Sequence, residues 1–337
     1  MSGFSERMRR WFSSGNVPPE PAAPRESRNM RFGNAHALVV GVGADLPGTV
    51  DDATALRDIL VDPDRCGYKW DNVCLLTSQA ATRDAILQAM DALAGTADAD
   101  SSVVVYFSGH GSRSMVAGGE CYHLMPYGYD VAALDDTCIG GDEFTRRLAL
   151  IRSKKLLLLL DCCHAGGFSL QKTPWLQKSP LPAPEQILSR GAGRVVIASS
   201  RADELSLAGS PYSVFTLALL EALSGSGAST KDGLVYASDL ALYTHAMVKK
   251  RTSDRQSPIL NFSEADNFAV AWYAGGATEP KAPPVPETAR IEDGTGGMSP
   301  VQPGIFVQPG WTVGNVINIS GSTTANLGKS SDKSKDD

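Results

Sequence analysis

Positive charge is in short supply: 31 Lys and Arg stand against 37 Asp and Glu, a formal net charge of −6. That balance argues against nucleic acid as an electrostatic partner. No apolar run approaches the ~18 residues a transmembrane helix needs. The first twelve residues carry three arginines and lack the apolar core of a signal peptide. No Cys-x-x-Cys pair occurs, and the adjacent Cys162 and Cys163 cannot easily aim both sulfurs at one ion, which disfavours a zinc site with His164 and His110. The run Gly41-Val42-Gly43 lacks the third glycine of a dinucleotide-binding loop, so a nucleotide-binding reading stays weak. Six cysteines (Cys66, Cys74, Cys121, Cys138, Cys162, Cys163) sit mostly in or beside apolar strand-like runs. The chain is also far larger than a disulfide-stapled secreted domain, so a reducing, cytosolic compartment is expected.

What is present is ordinary globular material, 42% hydrophobic and 20% charged. Residues 1–33 read as an N-terminal segment and linker. Phe4, Met8, Trp11 and Phe12 fall at helical spacing, which fits either an amphipathic helix or a terminus docked on the protein itself. Residues 34–275 alternate strand-like and helix-like segments. Strands are predicted at Ala35–Val42, Asn72–Thr77, Ser102–Phe107, Lys155–Leu160 and Arg194–Ala198. Helices are predicted at Asp52–Leu60, Thr82–Ala94, Val214–Leu223 and Ala237–Lys250. The alternation predicts an α/β fold, a mostly parallel central sheet sandwiched between helices. Lys155–Leu160, apolar on both faces, is placed near the sheet centre. Residues 276–303, rich in Pro, Gly and Thr, read as a second linker, and 304–337 as a C-terminal tail of different character.

Two segments carry candidate chemistry. Tyr106-Phe107-Ser108-Gly109-His110-Gly111-Ser112 follows one apolar strand, and Asp161-Cys162-Cys163-His164-Ala165-Gly166-Gly167 follows another. In open parallel sheets, the carboxyl ends of strands form the crevice where ligands bind. A histidine and a cysteine at one rim suit nucleophilic catalysis: imidazole raises the thiolate fraction and later protonates a leaving amine. The neighbouring glycines let a substrate backbone approach, and the N–H groups of Gly111 and Cys163 are candidate oxyanion donors. Side chains alternate along an extended segment, so Asp161 and Cys163 share one side and Cys162 takes the other.

These segments resemble the caspase-like cysteine peptidase superfamily, in particular metacaspases and bacterial caspase-like peptidases, whose Asp-x-Cys-His-x-Gly pattern is matched by Asp161, Cys163, His164 and Gly166. Val50-Asp51-Asp52-Ala53 with Leu56-Arg57, Val214-Phe215-Thr216 and Gln256-Ser257-Pro258 match along the domain. His110 and Cys163 lie 53 residues apart, close to the spacing of about 50 in caspases. The resemblance implies an endopeptidase acting on protein substrates, with Cys163 as nucleophile and His110 as acid/base. The alternative is a catalytically silent scaffold or signalling module of the same fold.

The resemblance also implies that Asp52, Ser108 and Asp161 line the primary specificity pocket. Animal caspases hold arginines there and cut after aspartate; carboxylates instead select a cation, so cleavage after Arg or Lys is expected. A helix N-cap remains the other reading of Asp51 or Asp52. Many metacaspases need calcium. Asp130, Asp135, Asp136, Asp142 and Glu143 are the candidate ligands here, yet the acidic run such sites use is missing after Gly111, and no cofactor is expected. The loop 168–193 carries Lys172, Lys178 and Arg190, candidate self-cleavage sites in what is otherwise an exposed loop. Trp311–Ser320 loosely resembles short amyloid-like signalling motifs of microbial cell-death and immune proteins, which implies self-assembly; a strand packed on its own domain, or a floppy end, is the alternative. An activating partner or a small signalling ligand is left open, since no sensor segment is recognisable.

Overall fold

The computed structural model describes residues 32–116, 119–162, 194–200, 206, 209, 211–263, 267–276 and 279–281. The N-terminal segment, Cys163, the self-cleavage candidates Lys172, Lys178 and Arg190, and the tail 304–337 lie outside the described residues.

Runs of Val and Leu form the strands of the main sheet. These are β1 (Ala35–Gly41), β2 (Val73–Thr77), β3 (Ser102–Ser108), β7 (Lys155–Asp161), β8 (Arg194–Ala198) and β10 (Ile259–Ser263). Their order is β10-β8-β7-β3-β1-β2. All neighbours are parallel except β10, which runs antiparallel to β8 at one edge. Lys155–Asp161 therefore lies at the sheet centre, as its unbroken apolar run requires.

Alternating side chains feed two cores. One face sends Val39, Val104, Tyr106, Leu157, Leu159 and Ile197 against α1 (Gly48–Val61), α4 (Val214–Leu223) and α5 (Ala237–Thr252). The other sends Val40, Val105, Phe107, Leu158 and Leu160 against α2 (Arg83–Thr96) and α3 (Gly141–Leu150). Thr82 caps α2, its hydroxyl accepting from Ala85 N–H at 3.3 Å.

The start of α1 corrects the expected Asp52–Leu60. The helix begins at Gly48, with Pro47 at the N-cap position. Proline is tolerated there because the first turn leaves N–H groups without helical partners. Asp51 thus lies in the first turn, where a carboxylate suits the helix dipole. Neither Asp51 nor Asp52 is the N-cap.

Two small sheets are new to the structure. β4 (His110–Val116), β5 (Gly119–Met125) and β6 (Ile139–Gly140) form an antiparallel sheet that begins at His110. β9 (Leu234–Tyr236) pairs with β11 (Ala269–Trp272).

Candidate active site

The carboxyl ends of β1, β3 and β7 lie abreast, with Gly41 opposite Ser108 and Ser108 opposite Asp161. α1 crosses directly over Gly41. A Cβ there would lie 2.2 Å from Thr49 O and 2.6 Å from Ala53 Cβ. This close approach brings Asp52, four residues into the helix, over the rim. Asp52, Ser108 and Asp161 are 2%, 1% and 5% exposed. All three expected pocket residues converge.

Their hydrogen bonds form one buried cluster. Ser108 Oγ donates to Asp52 Oδ2 at 3.4 Å, and Ser213 N–H donates to Asp52 Oδ1 at 2.9 Å. Asp161 receives Ser206 Oγ at 2.6 Å, Thr216 Oγ1 at 3.1 Å and the Ser213 hydroxyl. Tyr106 Oη sits 2.7 Å from Thr216 Oγ1. Gln256 Nε2 reaches Ser199 O at 2.8 Å and Ser206 Oγ at 3.4 Å. Burial pushes Asp52 well above the ordinary carboxylate range, and the charge of Asp161 adds to it. Burial raises Asp161 too, against the hydroxyls of Ser206, Ser213, Thr216 and Ser199, which favour its charged form. Ser206 and Ser213 escape the sequence reading. Thr216 and Gln256 stand in stretches that matched the family pattern, with no role attached.

His110 starts β4, directly after Gly109, whose N–H donates to Asp161 O at 3.3 Å. Its side chain is 20% exposed. Nε2 lies 2.8 Å from Asp45 Oδ2, and the ring meets Tyr129 edge-on with centroids 6.4 Å apart. The hydrogen bond from His110 holds the Asp45 carboxyl below its usual range. Sequence reasoning misses Asp45 and Tyr129; the signal for Asp45 is its place just past the end of β1, at the same rim. Gly111 follows in β4, opposite Leu124.

Cys162 is 1% exposed and packs into the second core, on the face opposite Asp161. Its carbonyl accepts from Ser199 Oγ and Ser200 Oγ, both at 3.3 Å. Elsewhere burial pushes the Cys74 thiol up to about 12 and Cys138 to about 11, and raises Cys66 and Cys121 as well. Those four thiols resist ionisation and make poor nucleophiles.

A family model described as the caspase domain matches residues 34–269. The chain belongs to the caspase-domain family of peptidases. Among curated relatives of this caspase-domain chain, Metacaspase-1B of Aspergillus clavatus is 28% identical over 189 residues, covering 47% of this chain and 44% of that protein. Metacaspase-3 of Arabidopsis thaliana is 31% identical over 151 residues, covering 40% and 41%. Metacaspase-1 of Schizosaccharomyces pombe is 25% identical over 175 residues, covering 47% and 40%. The chain thus spans less than half the length of these relatives. A solved structure from Geobacter sulfurreducens, 16% identical, covers 73% of this chain and 99% of its own at a TM-score of 0.48.

The calcium candidates of this caspase-domain chain do not converge. Asp130 caps the turn Val131–Ala133 through Ala132 N–H at 2.9 Å. Asp135 lies 3.1 Å from His123 Nε2, and Glu143 binds Arg83 at 2.8 Å. Asp136 sits beside Asp135 in the short helix Leu134–Thr137, and Asp142 lies in the first turn of α3. Among the described residues, no group of three or more His, Cys, Asp or Glu side chains is arranged to hold a metal ion. No helix among them is long and apolar enough to cross a membrane.

Proposed function

We propose that this chain is a cysteine endopeptidase that cuts protein substrates after Arg or Lys, with Cys163 as nucleophile and His110 as acid/base. One observation carries the specificity. Asp52 and Asp161 are buried together at the rim that also holds His110, and among the described residues no Lys, Arg or His ion-pairs with either. A buried negative charge with no resident counter-ion is a site for a cation brought by the substrate. The choice of Cys163 is supported by the burial of Cys162 on the opposite face and by the poor ionisation of the other thiols.

In the reaction, His110 takes the Cys163 thiol proton and the thiolate attacks the scissile carbonyl. The Gly111 and Cys163 N–H groups receive the oxyanion; loss of one such donor typically costs about 3 kcal/mol of transition-state stabilisation. His110 then protonates the leaving amine, and water releases the acyl group from Cys163 with His110 as base. Lys172, Lys178 and Arg190 carry the charge that such a pocket selects, which makes them the candidate self-cleavage sites. The loose resemblance of the tail to cell-death and immune motifs supports a role in such a microbial pathway, in the cytoplasm, with assembly through 304–337 and a partner or small ligand as the switch.

A panel of fluorogenic peptides tests this reading. Cleavage after Arg and Lys is expected, together with its loss in Cys163→Ala, its retention in Cys162→Ser, and labelling of Cys163 by a basic chloromethyl ketone. Faster cleavage after Asp than after Arg overturns the pocket. No cleavage and no labelling leaves a silent scaffold of the same fold.

A further inference from the structure

We infer that Asp45 is a positioning residue for His110, a third member of the site that orients the imidazole and stabilises its protonated form; this rests on the peptidase reading above. The two side chains meet at 2.8 Å through Asp45 Oδ2 and His110 Nε2. The loop that presents Asp45 is built to hold it. Gly43 and Ala44 adopt φ of 69° and 57°, and Ala44 is a non-glycine residue in the left-handed region, a conformation that persists only where the surroundings enforce it. Thr49 supplies the enforcement. Its Oγ1 accepts from Gly43 N–H at 2.8 Å and donates to Leu46 O at 2.8 Å, while Leu46 N–H donates back to Gly43 O at 2.9 Å. The turn that projects Asp45 is thus tied to the first turn of α1, the helix that carries Asp52 over the pocket.

The chemistry follows from which ring nitrogen is occupied. An aspartate on Nε2 keeps the proton there and leaves Nδ1 as the basic nitrogen. In the reaction the thiol proton moves to Nδ1, giving an imidazolium whose Nε2–H stays hydrogen-bonded to an ionised Asp45. The same proton leaves Nδ1 for the departing amine. Asp45 never takes a proton; it lowers the energy of the charged imidazole and fixes its plane. Among the described residues, the other titratable group that meets the ring is Tyr129, whose phenol is raised to about 12 by burial and by the Asp45 charge, and which stays neutral over the working range.

The test compares the full chain with Asp45→Asn, Asp45→Ala and Asp45→Glu, using a fluorogenic peptide ending in Arg. Asn and Ala are expected to lower kcat by about 10²-fold with little change in KM, and Glu to restore part of it. The pH–rate bell is expected to move in Asn and Ala, because the imidazole then lacks the carboxylate that faces it at Nε2. A purely structural role would lower the amount of folded protein and leave the bell in place. Nitrogen-15 NMR of the His110 ring in Cys163→Ala, with and without Asp45→Asn, gives a readout independent of turnover: the Nε2–H tautomer expected beside Asp45 should give way in Asp45→Asn. Wild-type kinetics matched by Asn and Ala, or an unchanged His110 spectrum, overturns the inference. If the wild-type chain cleaves no peptide at all, the peptidase reading fails, and the NMR comparison alone decides whether Asp45 governs the imidazole.

Discussion

Ser213 joins Asp52 to Asp161. Its N–H donates to Asp52 Oδ1 at 2.9 Å and its hydroxyl donates to Asp161 Oδ2. Two carboxylates in one buried cluster cannot both ionise cheaply. Four hydroxyls favour the charged form of Asp161, whereas Asp52 accepts one amide and one long contact from Ser108. The hydrogen bonds therefore favour the charge on Asp161 and the shared proton on Asp52.

This division has a stability consequence. The raised Asp52 means the folded state binds its proton more tightly than the unfolded chain does. The stability it contributes is present below the unfolded value, about 3.9, and is lost as pH rises through the folded value. Asp52→Asn removes that titration. It is expected to gain on wild type as pH rises from about 4 toward the raised folded value, read by urea unfolding across the range. A difference that shrinks as pH rises contradicts the shared-proton account.

The same division ranks two pocket variants. Asp161→Asn removes the resident charge, and a charge-assisted contact is worth about 1.5–3 kcal/mol, roughly 10- to 100-fold. Cleavage after Arg is expected to fall by that amount in kcat/KM, and by less in Asp52→Asn. Because the shared proton leaves as pH rises, wild-type preference for Arg over an uncharged residue of similar length is expected to increase with pH. A preference that falls with pH would mean the pocket charge is not what selects the substrate.

Ser213 does two jobs with one hydroxyl, since Oγ also accepts from Thr216 N–H at 2.9 Å and caps α4. Loss of a cap costs about 1 kcal/mol, and loss of a hydrogen bond to a charged group about 1.5–3 kcal/mol. Ser213→Ala is expected to lose about 2–4 kcal/mol in urea unfolding, and Ser213→Thr much less. Equal stabilities for Ala and Ser would mean the hydroxyl is not shared as described.

Much of this was readable in the chain, for a local reason. Ser102–Ser108 and Lys155–Asp161 are unbroken apolar runs that end in polar residues, so both the strands and the rim residues after them stand out. β4 and β5 do not: HGSRSMV and GECYHLM lack β-branched runs, and their register comes from pairing with each other. The start of α1 is hidden for a related reason, since Leu46-Pro47-Gly48-Thr49 reads as a turn until Thr49 is seen tying it down. The partners of the site are tertiary. Asp45 reaches His110 across 65 residues and Ser213 reaches Asp52 across 161, and no periodicity encodes such meetings.

Two glycines, one at each end of the Gly41–Gly48 connection, test the geometry that places Asp52. Gly41 has no space for a side chain, because the contact at 2.2 Å is to the backbone oxygen of Thr49 and the next to Ala53 Cβ in the same helix. Ala at 41 must push α1 off the sheet, and overpacking of this kind costs about 1–3 kcal/mol or more. Gly48 opens the same helix, and a Cβ added to it would meet nothing within 4 Å. Ala there restricts the unfolded chain without strain and is expected to stabilise by about 0.4–1 kcal/mol. Gly41→Ala should therefore melt earlier than wild type and lose cleavage after Arg, because displacing α1 withdraws Asp52 from Ser108 and Ser213. Gly48→Ala should melt slightly later and keep its activity. If both substitutions act with the same sign on the melting temperature, the close crossing of α1 over the end of β1 is not what holds the rim together.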